Sequence, residues 1–287
     1  MEFIKGNLIS IHFDSMLEFY NSKPSKVNAD LCESMKARGN QLGDLGPTSK
    51  GVQDSIDKSV VGDEKLKAQY LDGMVAELNY NLKLSDSKQK LPVIKRKRVR
   101  KEFGDELDMQ MVYQGKLDKA WTKTEKVEFD SQHHLITLLI DIGGRHNVDA
   151  VQSLWTAAAA LKFCQEVERA GKNIQVIVGN VSAHAAPGYS VSTTACVKKY
   201  SDPLNFERLA AMTHIGFYRS FGFLGKLSSS KKIDSSMGSS FDLSSCVPIP
   251  LREAQEKGET KIIALRKALN LKGALASLKA AERDMIK

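Results

Sequence analysis

The sequence lacks any run of roughly eighteen apolar residues, the length that a membrane-spanning helix requires. Its four cysteines lie far apart and form no Cys-x-x-Cys pair, which argues against a zinc knuckle and against a disulfide framework. The first fifteen residues have neither a long apolar core nor a small-residue cleavage site, so we expect no signal peptide. We therefore expect a cytoplasmic protein without membrane contact, with buried free thiols at Cys32, Cys164, Cys196 and Cys246.

Positive charge is concentrated in one short segment. The 287 residues carry a formal net charge of +8, and six positive charges fall within residues 95–101. These six residues are Lys95, Arg96, Lys97, Arg98, Arg100 and Lys101. Such a patch attracts phosphates through electrostatics and counterion release, which predicts nucleic-acid binding. Two other interpretations stay open: a solvated linker, or a strand whose charges are paired by the acidic residues that follow.

An almost continuous apolar run at residues 135–142, LITLLIDI, is typical of a strand that is covered on both faces. Gly143 and Gly144 end this run, and residues 148–170 follow with a helical pattern and an alanine-rich middle. A second apolar run at residues 174–178 completes a β-α-β unit. The pattern predicts an α/β fold with a Rossmann-like sheet flanked by helices.

The first 92 residues are predicted to be mainly helical. Phe13, Leu17 and Tyr20 have the spacing of one helix face, and apolar residues recur every four positions over residues 66–82.

The remaining segments give weaker patterns. We expect a third strand at residues 191–197, a helix at about residues 206–221, loops at residues 40–50 and 225–245, and one or two helices at residues 251–287. The chain is thereby divided into a helical N-terminal region (1–92), a basic connector (93–130), an α/β domain (131–250) and C-terminal helices (251–287).

The first strand of the α/β domain ends in Asp-Ile-Gly-Gly-Arg-His. An aspartate at the carboxyl end of a strand, followed by a glycine turn and a helix, lies where open α/β sheets bind ligands. The glycine spacing matches neither common nucleotide-binding loop, and an aspartate that only caps the turn is an open alternative. No nucleophile with a nearby base is visible by spacing, so we expect no catalytic residue. The candidate ligand residues at this rim are Asp141, Gly143, Gly144, Arg145 and His146.

The segments LITLLIDIGG and IQVIVGN, with the helix between them and the strand after them, resemble the core of a von Willebrand factor A-type domain. That family holds Mg²⁺ or Ca²⁺ through Asp-x-Ser-x-Ser at the end of its first strand, and Asp141 matches the aspartate. Gly143 and Arg145 stand at the two serine positions. Because hard cations need oxygen ligands, the resemblance implies a degenerate Mg²⁺ site at Asp141, and we expect no cofactor. Residues 97–121 and 200–223 also resemble segments of phage and bacterial proteins with degenerate A-type domains.

The leading hypothesis is a non-enzymatic phage protein that assists transcription or replication in the cytoplasm of a bacterial host. Its basic segment would bind DNA, including single-stranded DNA, and its A-like domain would bind a protein such as a phage polymerase. One alternative is a metal-dependent interaction module that works with a partner ATPase. The other is an enzyme that uses Asp141 and His146 on a phosphorylated substrate.

Overall fold

The computed structural model of the chain describes residues 1–37, 52–84, 96–101, 106–116, 119–126, 135–143, 148–235, 239–241, 243 and 247–286. The strands in these ranges are β1 (Glu2–Lys5), β2 (Leu8–Phe13), β3 (Arg96–Lys101), β4 (Glu106–Leu107), β5 (Trp121–Lys126), β6 (Leu135–Asp141), β7 (Asn173–Ala186), β8 (Tyr189–Lys198), β9 (Ser239–Phe241) and β10 (Lys261–Leu265).

The α-helices in the same ranges are α1 (Met16–Asn21), α2 (Ala29–Ala37), α3 (Val52–Val61), α4 (Glu64–Leu66), α5 (Asp72–Leu84), α6 (Met109–Tyr113), α7 (Ala150–Arg169), α8 (Phe206–Thr213), α9 (Ile215–Phe217), α10 (Ile249–Glu256) and α11 (Leu271–Ile286). Turns of 3-10 helix lie at Lys26–Asn28 and Gly225–Ser228, and turns of π-helix at Lys67–Leu71 and Tyr218–Gly222. Among the described helices, none combines the length and the apolar character that crossing a membrane demands.

The main sheet has seven described strands, in the order β1-β2-β8-β7-β6-β10, with β9 paired to β7 outside this path. β6 runs parallel to both β7 and β10, and β2 runs parallel to β8. β7 and β8 pair antiparallel, as do β1 and β2. The sheet is therefore mixed, and the helices that flank it confirm the predicted α/β class.

The predicted β-α-β unit is present as β6, α7 and β7. Asp149 caps the start of α7, because its carboxylate accepts a hydrogen bond from the backbone N–H of Val151 at 2.8 Å. The alanines at residues 157–160 are fully buried, and their small side chains let the helix lie close to its neighbours. Gly171 follows the helix with a φ of 74°, the left-handed conformation that favours glycine at this position.

The prediction of helix was wrong for residues 2–13, which form β1 and β2. Phe13 ends β2 and is buried, whereas Leu17 and Tyr20 lie in α1 with exposures of 61% and 51%. These three residues therefore do not share a helix face, because short apolar runs fit a strand as well as a helix. The helix predicted over residues 66–82 is confirmed as the continuous stretch of α4, the π-turn and α5.

The C-terminal segment was predicted to hold helices alone, and this was wrong for Lys261–Leu265. These residues form β10, which pairs with β6 between the helices α10 and α11. The predicted loop at residues 225–245 contains a 3-10 turn and β9, and the predicted loop at residues 40–50 lies outside the described residues. The strand predicted at residues 191–197 is confirmed as part of β8. The helix predicted at residues 206–221 is also confirmed, with a break near His214. The main sheet thus takes strands from three of the four predicted segments.

Apolar side chains cover both faces of the main sheet. On one face, α5, α7, α8 and α11 pack over the large core that includes Leu138, Ile140, Val176 and Val178. On the other face, a smaller apolar cluster joins the sheet to α10 and to Leu243, which precedes that helix. The members of this cluster are Leu139, Ile177, Val181, Leu243 and Leu251. The carboxyl ends of β6 and β10 lie side by side at one rim of this sheet.

A second, smaller sheet has three described strands in the order β3-β5-β4, all antiparallel. It contains most of the basic run, since β3 is Arg96–Lys101. Asp108 follows β4 and caps α6 by accepting a hydrogen bond from the backbone N–H of Gln110 at 3.1 Å.

Candidate functional site

The strand-end rim contains the predicted Asp141 at the last position of β6. Its Oδ1 accepts a hydrogen bond from the backbone N–H of Gly143 at 2.8 Å, so the carboxylate stabilises the turn after the strand. Asp141 is half-buried and Gly143 is buried. Gly144, Arg145 and His146 lie outside the described residues. The turn-capping role that the sequence left open for Asp141 is therefore present at this rim.

A lysine that the sequence analysis did not select also reaches this rim. Lys267 follows β10, and its Nζ donates a hydrogen bond to the carbonyl of Gly143. The segment is fixed by Thr156 of α7, whose hydroxyl bonds both the N–H (2.9 Å) and the carbonyl (3.0 Å) of Ala268. Burial lowers the pKa of Lys267, the charge of Asp141 opposes that shift, and the charge of Arg219 adds to it. Asp141, Arg219 and Lys267 therefore share one electrostatic environment.

The residues of this rim do not fit a divalent cation. A metal ion bound by Asp141 would lie next to the ammonium of Lys267, which already contacts the Gly143 carbonyl, and would be repelled by Arg219 as well. Within the described ranges, no group of three or more His, Cys, Asp or Glu side chains could hold a metal ion. The chemistry of these side chains favours an ammonium at the position where the family resemblance implied Mg²⁺.

Four polar side chains form a second group, which we call the buried polar cluster: Asn180, Ser182, Thr193 and Lys226. Asn180 and Thr193 are partners in the register of β7 and β8, and Ser182 lies two residues further along β7 on the same face. Lys226 comes from the 3-10 turn, and its Nζ lies 2.5 Å from Ser182 Oγ. Spacing could not reveal this pair, because 44 positions separate the two residues.

The arginines of the basic run share one face of the small sheet. Arg96, Arg98 and Arg100 alternate along β3, so they occupy the same face. The register pairs Arg96 with Lys126 and the other two arginines with threonines of β5. We call the positions of Arg96, Arg98, Arg100 and Lys126 the arginine face. Glu106 is the acidic position that β4 adds to this face, across β5 from Arg100.

The opposite face of the small sheet has a different composition, and we call it the mixed face. Its positions are Lys97, Val99 and Lys101 of β3 with Lys123, Glu125 and Trp121 of β5. Glu125 stands directly opposite Lys97 in the register. The run is thus divided between a strongly basic face and a face where charges of both signs alternate with apolar positions. Lys95 lies outside the described residues.

Comparison with known families gives one match that spans most of the chain. A family model described as a domain of unknown function, DUF7192, matches residues 4–272. Comparisons with curated proteins and with solved structures gave no significant match. The matched range includes the small sheet, all of the main sheet except the start of β1, the strand-end rim and the buried polar cluster.

Proposed function

We propose that this chain, which belongs to the DUF7192 family, is a nucleic-acid-binding protein that holds the phosphate backbone against its arginine face. The observation that carries the proposal is the register of β3 and β5, which groups three arginines and one lysine on one face. This role needs no catalytic step.

The spacing of the arginine face suits an extended polyanion. Alternate residues of a strand are separated by about 6.8 Å, so the three arginine positions follow one another at this interval along β3. Guanidinium groups bind phosphate through two parallel hydrogen bonds, which makes such a row a better phosphate ligand than isolated lysines. Among the described strands, β3 lies at an edge of the small sheet and pairs with β5 alone.

Acidic positions are few on the arginine face. Glu125 of β5 belongs to the mixed face. Glu106 alone among the described positions of the small sheet adds negative charge to the arginine face. A face with four basic positions and one acidic position keeps a net positive charge, as phosphate binding requires.

We expect nucleic-acid binding to depend on which face of β3 is changed. A variant with Arg96→Gln, Arg98→Gln and Arg100→Gln should bind a DNA oligonucleotide more weakly, and the slope of log K against log salt should fall in magnitude by about 2 to 3. The matched control carries Lys97→Gln, Lys101→Gln and Lys123→Gln, which removes the same charge from the mixed face and should change the slope by less than about 1.

Fluorescence anisotropy at several salt concentrations measures both slopes, with single-stranded and duplex oligonucleotides compared. Equal losses in the two variants would show that total charge, rather than the arginine face, determines binding. Unchanged binding in the arginine variant would contradict the proposed function.

The main sheet supplies a second part of the proposal, a von Willebrand A-like surface for a protein partner such as a phage polymerase, in a transcription or replication complex of the infected bacterium. It is supported by the succession of β6, α7, β7 and β8, the elements on which the family resemblance was based. Lys267 at the rim favours a partner contact that needs no metal ion.

We expect the tagged chain to capture a polymerase subunit from infected cells equally well in Mg²⁺ and in EDTA, as measured by quantitative mass spectrometry. Asp141→Asn is the control for a metal ligand and should leave the capture unchanged. Loss of the capture in EDTA would favour the metal-dependent alternative, and capture of nucleic acid alone would contradict this part of the proposal.

A further inference from the structure

The buried polar cluster places a nucleophile beside a base. Ser182 Oγ and Lys226 Nζ are 2.5 Å apart, and the two residues are 1% and 0% exposed. The ring of Phe223 lies 5.5 Å from the same Nζ, so an aromatic ring and the Ser182 hydroxyl both lie near the amine. A serine hydroxyl is a weak nucleophile until a neighbouring group removes its proton, and a neutral lysine amine can serve as that base.

Burial lowers the pKa of Lys226 to about 7. An ammonium in a desolvated position is less stable than the neutral amine, which explains the direction of the change. Near neutral pH, a large fraction of Lys226 is therefore unprotonated and able to accept a proton from Ser182.

Two further members of the cluster can stabilise negative charge. Both side-chain polar atoms of Asn180 and the hydroxyl of Thr193 are buried, and they have no hydrogen-bond partner within the described parts of the chain. Buried polar groups without partners lose their hydrogen bonds to water and gain none in return, so they are rare unless something else uses them. Asn180 Nδ2 and Thr193 Oγ1 are donors on the same sheet face as Ser182, where an oxyanion would form.

We propose that Ser182 and Lys226 form a serine–lysine pair that hydrolyses small acyl esters, with Asn180 and Thr193 as hydrogen-bond donors to the oxyanion. This activity goes beyond nucleic-acid binding by the small sheet. Ser182 Oγ forms a bond to the ester carbonyl carbon while its proton passes to Lys226 Nζ. The bond to the leaving alkoxide then breaks, and Lys226 returns the proton to that oxygen. Water releases the acyl group by the same relay, with Lys226 taking the water proton and giving it back to Ser182 Oγ.

The backbone around Ser182 departs from a regular sheet. Beyond Gly179, β7 pairs with β9 instead of β6, so Ser182 lies just past the strand-end rim. The register of β7 and β8 shifts between Ser182 and Ala186, and His184 within this shift has a φ of 56°, a strained value for a residue with a side chain. The π-turn Tyr218–Gly222 covers Asn180, and π-turns are frequent at functional sites. Since the π-turn lies over Asn180 and both Ser182 and Lys226 are buried, the proposal requires this cover to open before an ester can reach the pair.

A fluorophosphonate probe tests the nucleophile, because the probe phosphonylates activated serines with loss of fluoride. We expect one adduct, which peptide mapping places at Ser182, and a labelling rate that rises with pH with a midpoint near 7. Ser10 and Ser192 are the matched controls in the same protein: they are buried in the same sheet, lack a hydrogen-bond partner in the described ranges, and should stay unmodified. Hydrolysis of p-nitrophenyl acetate should be lost in Ser182→Ala.

Lys226→Arg keeps a positive charge but cannot accept a proton at these pH values, so labelling should slow by about 100-fold or more. Its thermal melting and its DNA binding show whether the variant is folded. If it does not fold, the pH profile of the wild-type protein decides. Absence of an adduct at Ser182 across the neutral range overturns the proposal, as does a labelling rate that is independent of pH or equal at the control serines.

Discussion

Replacing Phe221 by alanine is expected to lower the free energy of unfolding by about 3 to 5 kcal/mol, the largest effect of a single side chain that we predict. The ring is fully buried and touches three other rings, with centroid distances of 5.9 Å to Phe13, 4.7 Å to Phe19 and 4.8 Å to Phe217. These rings belong to β2, α1 and α9, so the removal of Phe221 opens a cavity between three elements. Urea denaturation followed by circular dichroism measures the loss.

Tyr20→Ala is the control for that measurement. Tyr20 is an aromatic residue of α1, as Phe19 is, but half of its surface is exposed. Its removal should therefore cost less than about 0.5 kcal/mol. If Phe221→Ala lowers the free energy of unfolding as little as Tyr20→Ala does, the described packing of the four rings is contradicted. Phe221 lies in the π-turn that covers Asn180, so the loss of its ring should also loosen the cover of the buried polar cluster.

The second large effect is expected from Gly179→Ala, which should cost about 3 kcal/mol. A Cβ atom at this position would lie 2.4 Å from the Cγ2 of Thr194 and 2.8 Å from the backbone carbonyl oxygen of Thr193. A side-chain methyl can rotate away, but a carbonyl inside a hydrogen-bonded strand cannot move without disturbing the β7–β8 pairing. The overlap therefore remains after relaxation, and thermal and urea denaturation should both detect it.

Gly73→Ala is the matched control, and its expected effect on the free energy of unfolding has the opposite sign. Gly73 lies within α5, and a Cβ there would meet nothing within 4 Å, so alanine should stabilise the helix by about 0.5 to 1 kcal/mol. Adding Thr194→Ser to Gly179→Ala removes the nearer of the two clashing atoms and should restore part of the loss. Similar stabilities of the Gly179→Ala and Gly73→Ala variants would show that the strands are less closely packed than described.

The β6-α7-β7 unit could be predicted because its signals are local. An apolar run, a glycine break, an aspartate cap and an alanine-rich helix follow one another within residues 135–178. β1, β2 and β10 were missed because each is short, and because β2 and β10 pair with strands far away in sequence, β8 and β6. A pattern of four to six residues cannot distinguish a strand from a helix turn when the partner is unknown.

The candidate site residues likewise divide into those that the sequence revealed and those that only the fold revealed. Asp141 and the basic run were visible, because one follows a buried strand and the other is a dense cluster of charge. Lys267 and Lys226 were not selected, since each is an ordinary surface residue type until the fold buries it. One signal was available: Lys226 stands alone among the apolar residues and glycines of FGFLGKL, where a charge is unusual.

The position of β10 has a consequence for synthesis in the cell. Thr260, next to that strand, bonds the carbonyl of Leu135 across 125 residues of chain. At about 5–20 residues per second, the ribosome delivers β10 on the order of ten seconds after β6. Throughout that interval the nascent chain presents one bare edge of its most apolar strand, which invites association with other unfinished chains. A chaperone that shields this edge during translation would therefore raise the yield of folded protein.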